Sequence, residues 1–210
     1  MAVKITWLGH ASFKIEGEEG LTIYLDPWKI KAKDEADLIF ISHSHYDHLS
    51  PDDVNRIQGK ATTILVPTDG VGKLRGEVRA VKPGDSLSLK GINVRAVPAY
   101  NLNKPYHPKE NGWVGYFFEV ETISIYHAGD TDFVPEMNDL KPSVALLPIG
   151  GTYTMDVENA LAAVEAIKPR MIIPMHFGDI VGTLNDAKRF AEKCPVEVRI
   201  LGKGESISVK

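Results

Sequence analysis

Four side chains able to ligate a metal crowd into six residues, His43-Ser44-His45-Tyr46-Asp47-His48, directly after the apolar run 38–41. A strand that delivers such a cluster to its own end holds imidazoles and carboxylates to the tolerance a metal demands, so the chain is expected to place a sheet rim here. His43 and His45 stand two apart on an extended or turning backbone and can reach one ion together, while Asp47 and His48 turn toward a neighbouring position. Imidazole and carboxylate donors suit Zn, Mn, Fe or Ni better than Mg or Ca. The plain alternative is a solvated turn rich in His and Asp.

Two further stretches follow the same logic. The apolar run 123–126 leads into Gly129-Asp130-Thr131, and 171–174 leads into His176. Strand ends gathered at one rim bring residues distant in sequence within a few Å, and Asp130 could then bridge two ions. Cys194 is the single cysteine, so the chain forms no internal disulfide and no thiolate-rich zinc site. With 43% hydrophobic and 25% charged residues over 210 positions, disordered and collagen-like classes are excluded. A net charge of -4 gives no general attraction to nucleic acid or to an anionic membrane. A small-molecule substrate is the expected partner, no nucleic acid or membrane is expected, and assembly with like chains is left open. The first residues run straight into strand-like alternation without an apolar export or anchor segment, so a cytoplasmic location is expected.

The remainder reads as short strands and a few helices in a single domain, 1–210. Strands are expected at 3–8, 12–15, 21–25, 38–41 and 63–66, then at 77–81, 86–89 and 92–97. Ser50-Pro51 opens a short helix to about position 57, and Thr68-Asp69 opens another. The stretch 101–112 is rich in Pro, Asn and Lys, lacks periodicity and reads as a functional loop. Strands are expected again at 113–120, 123–127, 144–147, 171–174, 196–201 and 206–209. Helices are expected from Pro135, from Asp156 to 167, where Ala160, Leu161, Val164 and Ile167 make an apolar face, and over 185–193. Strand meanders interspersed with helices in two halves suggest two mixed sheets packed face to face, although other α/β and α+β architectures fit the same pattern.

The H-x-H-x-D-H at 43–48, the later G-D-T at 129–131 and the strand-end His176 together resemble the metallo-β-lactamase fold superfamily, in an order that covers nearly the whole chain. Trp7-Leu8-Gly9-His10-Ala11-Ser12-Phe13 and Tyr24-Leu25-Asp26-Pro27 resemble its branch of small metal-dependent hydrolases, which includes ascorbate-6-phosphate lactonase and N-acylphosphatidylethanolamine phospholipase D. The resemblance implies an αββα four-layer sandwich of mixed α/β class and two divalent metal ions, zinc first, with manganese, nickel or iron as alternatives. It implies His43, His45 and a third histidine on one ion, Asp47, His48 and His176 on the other, and Asp130 between them. Many relatives carry the third histidine in a P-A-x-H pattern, where this chain has Pro98-Ala99-Tyr100-Asn101. His107 in the following loop is the expected substitute, with Asn101 or solvent as the alternative.

A ligating histidine usually donates its other ring nitrogen to a carboxylate, and Asp26 suits that role better than ligation. His10 is a catalytic candidate as a substrate contact, an extra ligand or a proton donor, against a purely structural histidine. His127 lies within a strand and is left out of the metal set. Trp28, Tyr100, Tyr106 and Trp113 flank the expected rim as pocket wall or as packing, and Lys104 and Lys109 are either anion contacts or solvated charges. The expected activity is hydrolysis of an ester, lactone or phosphodiester by a metal-activated hydroxide, with Asp47 or Asp130 orienting it or taking its proton. The competing reading is a metal-stabilised binding or assembly module. A di-iron oxidoreductase is disfavoured because His45 stands where related redox proteins carry Glu.

Overall fold

Apolar runs of two kinds build this chain: strands that alternate, and strands apolar on both faces. The computed structural model describes residues 2–31 and 33–210; Met1 and Ala32 lie outside it. The first sheet is formed by β1 (Val3–Gly9), β2 (Ser12–Glu16), β3 (Thr22–Leu25), β4 (Ala36–Phe40), β5 (Gln58–Pro67) and β6 (Glu77–Val81). The second contains β7 (Ser86–Leu89), β8 (Ile92–Pro98), β9 (Val114–Val120), β10 (Ile123–His127), β11 (Val144–Pro148), β12 (Met171–Met175) and β13 (Glu197–Val198). The last strand, β14 (Ser206–Val209), returns to the first sheet beside β1, giving the orders β14-β1-β2-β3-β4-β5-β6 and β13-β12-β11-β10-β9-β8-β7.

The inner faces meet as a sandwich. Along β4, Leu38 and Phe40 join the main core while Ile39 turns outward to a second cluster, the period-2 split of a strand covered on both sides. Phe40 stacks on Tyr116 of β9 at 5.0 Å and meets Phe118 edge-on at 5.4 Å. The outer cluster packs Tyr24, Ile39, Ile64 and Val66 under Val54 and Ile57 of helix α1 (Pro51–Ile57). Helices α2 (Val157–Ile167) and α3 (Leu184–Lys193) bury Ala160, Val164, Ile167, Ala187 and Phe190 into the main core. Their starts are fixed by caps: Asp156 accepts from the Asn159 N–H at 2.8 Å, and Thr183 with Asp186 forms a reciprocal capping box. This is the mixed αββα architecture that the strand and helix pattern suggested. No helix among the described residues is long and apolar enough to cross a membrane.

Four elements depart from expectation. The turns begun by Thr68 and Pro135 are 3-10 segments, Thr68–Lys73 and Pro135–Asp139, the first holding Gly70 and Gly72 and the second followed closely by Pro142. β5 starts at Gln58, five residues early, because the Thr62 hydroxyl accepts from the Gly59 N–H and donates to the Ala36 carbonyl, satisfying a bulged polar stretch. β13 keeps only two of the expected six residues. Its ladder reaches the bond from the Arg199 N–H to the Ile172 carbonyl, and the next would need an N–H at position 174, which Pro174 lacks.

Candidate metal centre

Strand direction sets the rim. β1, β3 and β4 run the same way in the first sheet, as do β8, β10 and β12 in the second. The segments leaving their carboxyl ends carry His10, Asp26, the 43–48 cluster, His107, Asp130 and His176. Three groups of ligand atoms result, each within a span of 4.8 Å: His10, Asp47, His48 and His176; His43, His45 and His107; and His43, His48 and Asp130. Every residue expected near the metals is thus in one place, and His10 joins them.

Asp130 stands at the centre. Its Oδ2 lies 3.0 Å from His176 Nε2, 3.4 Å from His107 Nε2 and 4.0 Å from His43 Nε2, while Oδ1 lies 3.3 Å from His48 Nε2. Burial would push this carboxyl up, but the charges of His176 and His48 and the close approach of the His107 and His176 rings outweigh it and hold the group well below the usual carboxylate range. Thr131 pins the loop: its hydroxyl accepts from the Tyr100 N–H at 3.1 Å.

Asp26 serves His48 instead. Its carboxylate accepts from the Ser42 N–H at 2.7 Å, the Ser42 hydroxyl at 2.6 Å and His48 Nδ1 at 2.7 Å. With Nδ1 carrying that proton, His48 Nε2 points its remaining valence at Asp130. Burial disfavours a charged His48, yet Asp130 and then Asp26 raise it well above an ordinary histidine.

His107, not Asn101, completes the His43 and His45 group. The Asn101 side-chain oxygen accepts from the His107 N–H at 3.1 Å and sits 3.1 Å from His107 Nδ1, which also faces the Tyr153 carbonyl at 3.1 Å. Asn101 therefore aims the imidazole, leaving Nε2 toward Asp130. His43 Nε2 is 3.1 Å from His45 Nδ1, and burial followed by neighbouring histidines lowers both rings, so they are neutral and have lone pairs to offer.

Two residues outside the expected set brace this group. Trp113 packs its ring against His43 at 4.9 Å, His45 at 4.8 Å and His107 at 5.6 Å. Asp69 accepts from Trp113 Nε1 at 3.0 Å and from the Ser44 hydroxyl at 2.5 Å, tying the tryptophan to the H-x-H turn. Asp69 follows β5 as the ligands follow their strands, and that position was the one available signal.

His10 Nε2 lies 3.0 Å from Asp47 Oδ2, and the His10 carbonyl accepts from the His176 N–H at 3.0 Å and from Trp7 Nε1 at 3.0 Å. Burial would raise the Asp47 carboxyl, but the His10 bond and the charge of His48 hold it at about 2. His10, Asp26 and His176 have φ of 52°, 41° and 58°, a left-handed backbone that non-glycine residues rarely adopt outside constrained sites. His127 stays apart: Nε2 donates to the Ala11 carbonyl at 2.9 Å and Nδ1 accepts from the Gly129 N–H at 3.3 Å. Lys104 is neither an anion contact nor a solvated charge, since Asp132 and the Thr154 carbonyl hold it. Lys109 pairs with Glu136 at 3.0 Å, and the Tyr100 hydroxyl bonds the same carboxylate.

The donor set fits divalent metals. His48 Nε2, His107 Nε2, Asp130 Oδ1 and both ring nitrogens of His176 are buried without a hydrogen-bond partner, and such orphans are costly unless something occupies their valences. Ligands about 2.0–2.2 Å from a tetrahedral ion lie roughly 3.3–3.6 Å apart, within the 3.0–4.0 Å spread of the contacts to Asp130.

Fold and site define a class. Residues 4–176 match the family model described as a beta-lactamase superfamily domain. A UPF0173 metal-dependent hydrolase of Aeropyrum pernix is 38% identical, over 97% of this chain and 96% of that protein. Another, of Methanopyrus kandleri, is 33% identical over 97% of this chain and 99% of that protein. A solved metallo hydrolase of Ignicoccus hospitalis superposes with a TM-score of 0.84 at 27% identity, covering 100% of this chain and 99% of that one. The chain belongs to the UPF0173 metal-dependent hydrolases of the β-lactamase superfamily and has their metallo-β-lactamase fold.

Proposed function

We propose that this enzyme cleaves an ester, lactone or phosphodiester bond of a small molecule with water activated at two divalent cations. Zinc suits the donors best, manganese, nickel and iron are the alternatives, and the reaction belongs in the cytoplasm. The observation that carries the reading is the Asp130 carboxylate, which turns one oxygen toward His48 and the other toward His43, His107 and His176. His43, His45 and His107 would hold one cation, and Asp47, His48 and His176 the other, with Asp130 shared. When bound, the pair supplies Lewis acidity that brings a water toward ionisation at neutral pH and polarises the substrate oxygen.

The chain's own groups do the rest. Asp47 stays ionised at all working pH values and accepts a hydrogen bond from the attacking water, orienting it. His10 donates to Asp47 and fixes the angle of that carboxylate. Asp26 keeps the His48 proton on Nδ1, so Nε2 faces inward. The test assays metal-replete protein against a panel of phosphodiesters, lactones and thioesters. Turnover that His48→Ala abolishes, with the circular dichroism and melting profile kept, supports catalysis; no turnover on any substrate would replace the proposal with a metal-stabilised binding module.

A further inference from the structure

The entrance to the site has a composition of its own. A cavity of about 220 Å³ opens over His45, Asp47, His107, Asp130 and His176, and its remaining wall is Tyr46, Tyr106, Tyr153 and Ile180. These four come from the segments after β4, β8, β11 and β12, so four separate loops each deliver an apolar or aromatic side chain to one opening. Tyr46 is 69% exposed, Tyr106 43% and Ile180 38%, three of the five large hydrophobic side chains left exposed among the described residues. Single exposed hydrophobics mean little, but a convergent set around a cavity marks a binding surface. Tyr106 meets Tyr153 edge-on at 4.7 Å, and Tyr46 stands edge-on to Trp28 at 6.1 Å, so all three tyrosines of the wall are already braced by aromatic neighbours.

Charge is distributed the other way. Among the described residues, no Lys or Arg lines the cavity. Lys104 is held by Asp132, Lys109 by Glu136, and Lys29 lies over the Trp28 ring at 4.0 Å from its centroid. Recognition of a phosphate or carboxylate away from the reacting bond draws on free Arg, Lys or a helix N-terminus, and the wall offers none. A volume of about 220 Å³ is also below the roughly 300–1,000 Å³ of sites for drug-sized ligands.

We infer that the group flanking the scissile bond is small, uncharged and apolar, an acyl chain of a few carbons or one aromatic ring, seated against Tyr46, Tyr106, Tyr153 and Ile180. This rests on the hydrolase reading and adds the substrate class to it. Each methylene that enters such a wall contributes transfer free energy worth about a fourfold gain at full burial, and about twofold where half of it stays wet.

The experiment has two arms on the metal-replete enzyme. In the first, kcat/KM is measured for phenyl acetate, butyrate, pentanoate and hexanoate and for phenyl hemisuccinate, a carboxylate-bearing match in length to the pentanoate. The expected result is a rise of about two- to fourfold per methylene up to the length that fills the cavity, with the hemisuccinate at least about tenfold below the pentanoate. In the second, binding of neutral methyl alkyl ketones is followed by tyrosine and tryptophan fluorescence, which needs no turnover. Tyr106→Ala combined with Ile180→Ala should flatten the length dependence in both arms, while Tyr106→Leu with Ile180→Val should keep it. A flat series, a hemisuccinate as good as the pentanoate, or an unchanged slope in the double alanine variant overturns the inference. If no ester turns over while ketone affinity still climbs with length, the apolar subsite stands and the choice of ester chemistry fails.

Discussion

The two sheets are laid out alike and put to different use. From β14 to β6, and again from β7 to β13, three antiparallel pairings are followed by three parallel ones. Matching strand ends then correspond: His10 follows β1 where the His107 loop follows β8, and Asp26 follows β3 where Asp130 follows β10. The likeness stops there. β4 releases the 43–48 cluster while its counterpart β11 leads to Tyr153, which offers a carbonyl to His107. β12 leads to His176, while its counterpart β5 leads to Asp69, which braces Ser44 and Trp113. The two aspartates show why equal positions acquire unequal roles. Asp26 is filled by the Ser42 N–H, the Ser42 hydroxyl and His48, and Asp130 faces imidazoles only.

That contrast can be broken in order of size. Asp130→Asn should abolish turnover, on the order of 10³-fold or more, and empty both metal positions as read by elemental analysis after dialysis; an active variant would sink the central role of Asp130. Asp26→Asn should keep the ligands but misorient His48, lowering metal affinity about 10- to 100-fold and stability by roughly 3 kcal/mol, since buried charged bonds are lost. Metal titration and denaturant unfolding check it, and an effect as large as that of Asp130→Asn would erase the distinction. Asp69→Ala should loosen only the group of His43, His45 and His107, so stoichiometry falls toward one ion per chain while the Asp47, His48 and His176 group stays loaded. Loss of both ions together would show that the two halves are not separable.

The smallest expected effect is on pH. Burial lowers His10, His43, His45 and His127, so in metal-free protein each favours folding above about pH 6.5, and that contribution is lost on acidification because the unfolded chain takes the proton more readily. His48 is raised and acts in the opposite sense, stabilising at low pH and losing its contribution as pH climbs through its folded value. Four groups against one predict a falling melting temperature of the metal-free protein from pH 7 to pH 5. A rising one would mean the His48 contribution dominates.

Much of this was legible in the residues. The 43–48 cluster, Asp130 and His176 could be read because each sits one to eight residues beyond an apolar strand, where adjacency in sequence is adjacency in space. His107 was harder, since eight residues of loop separate it from Pro98 and its aim depends on Asn101 and the Tyr153 carbonyl. Trp113 was legible only as a rim aromatic, wall or packing, and Asp69 left no chemical trace, because a brace is defined by what it touches across the fold. The likeness of the two sheets was equally hidden: pairing order is a property of backbones, and no repeated residues accompany it. β13 fell short for a reason that lay in its neighbour, the missing N–H of Pro174.

The left-handed backbones at His10, Asp26 and His176 carry one more consequence. A designer grafting this centre onto another scaffold could copy every side chain and still miss, because three attachment points require a conformation that costs an ordinary residue about 1–2 kcal/mol. The host would need three strand ends already bent in that hand and enough surrounding structure to keep them so. The portable unit is therefore a set of corners, with the histidines and aspartates mounted on them.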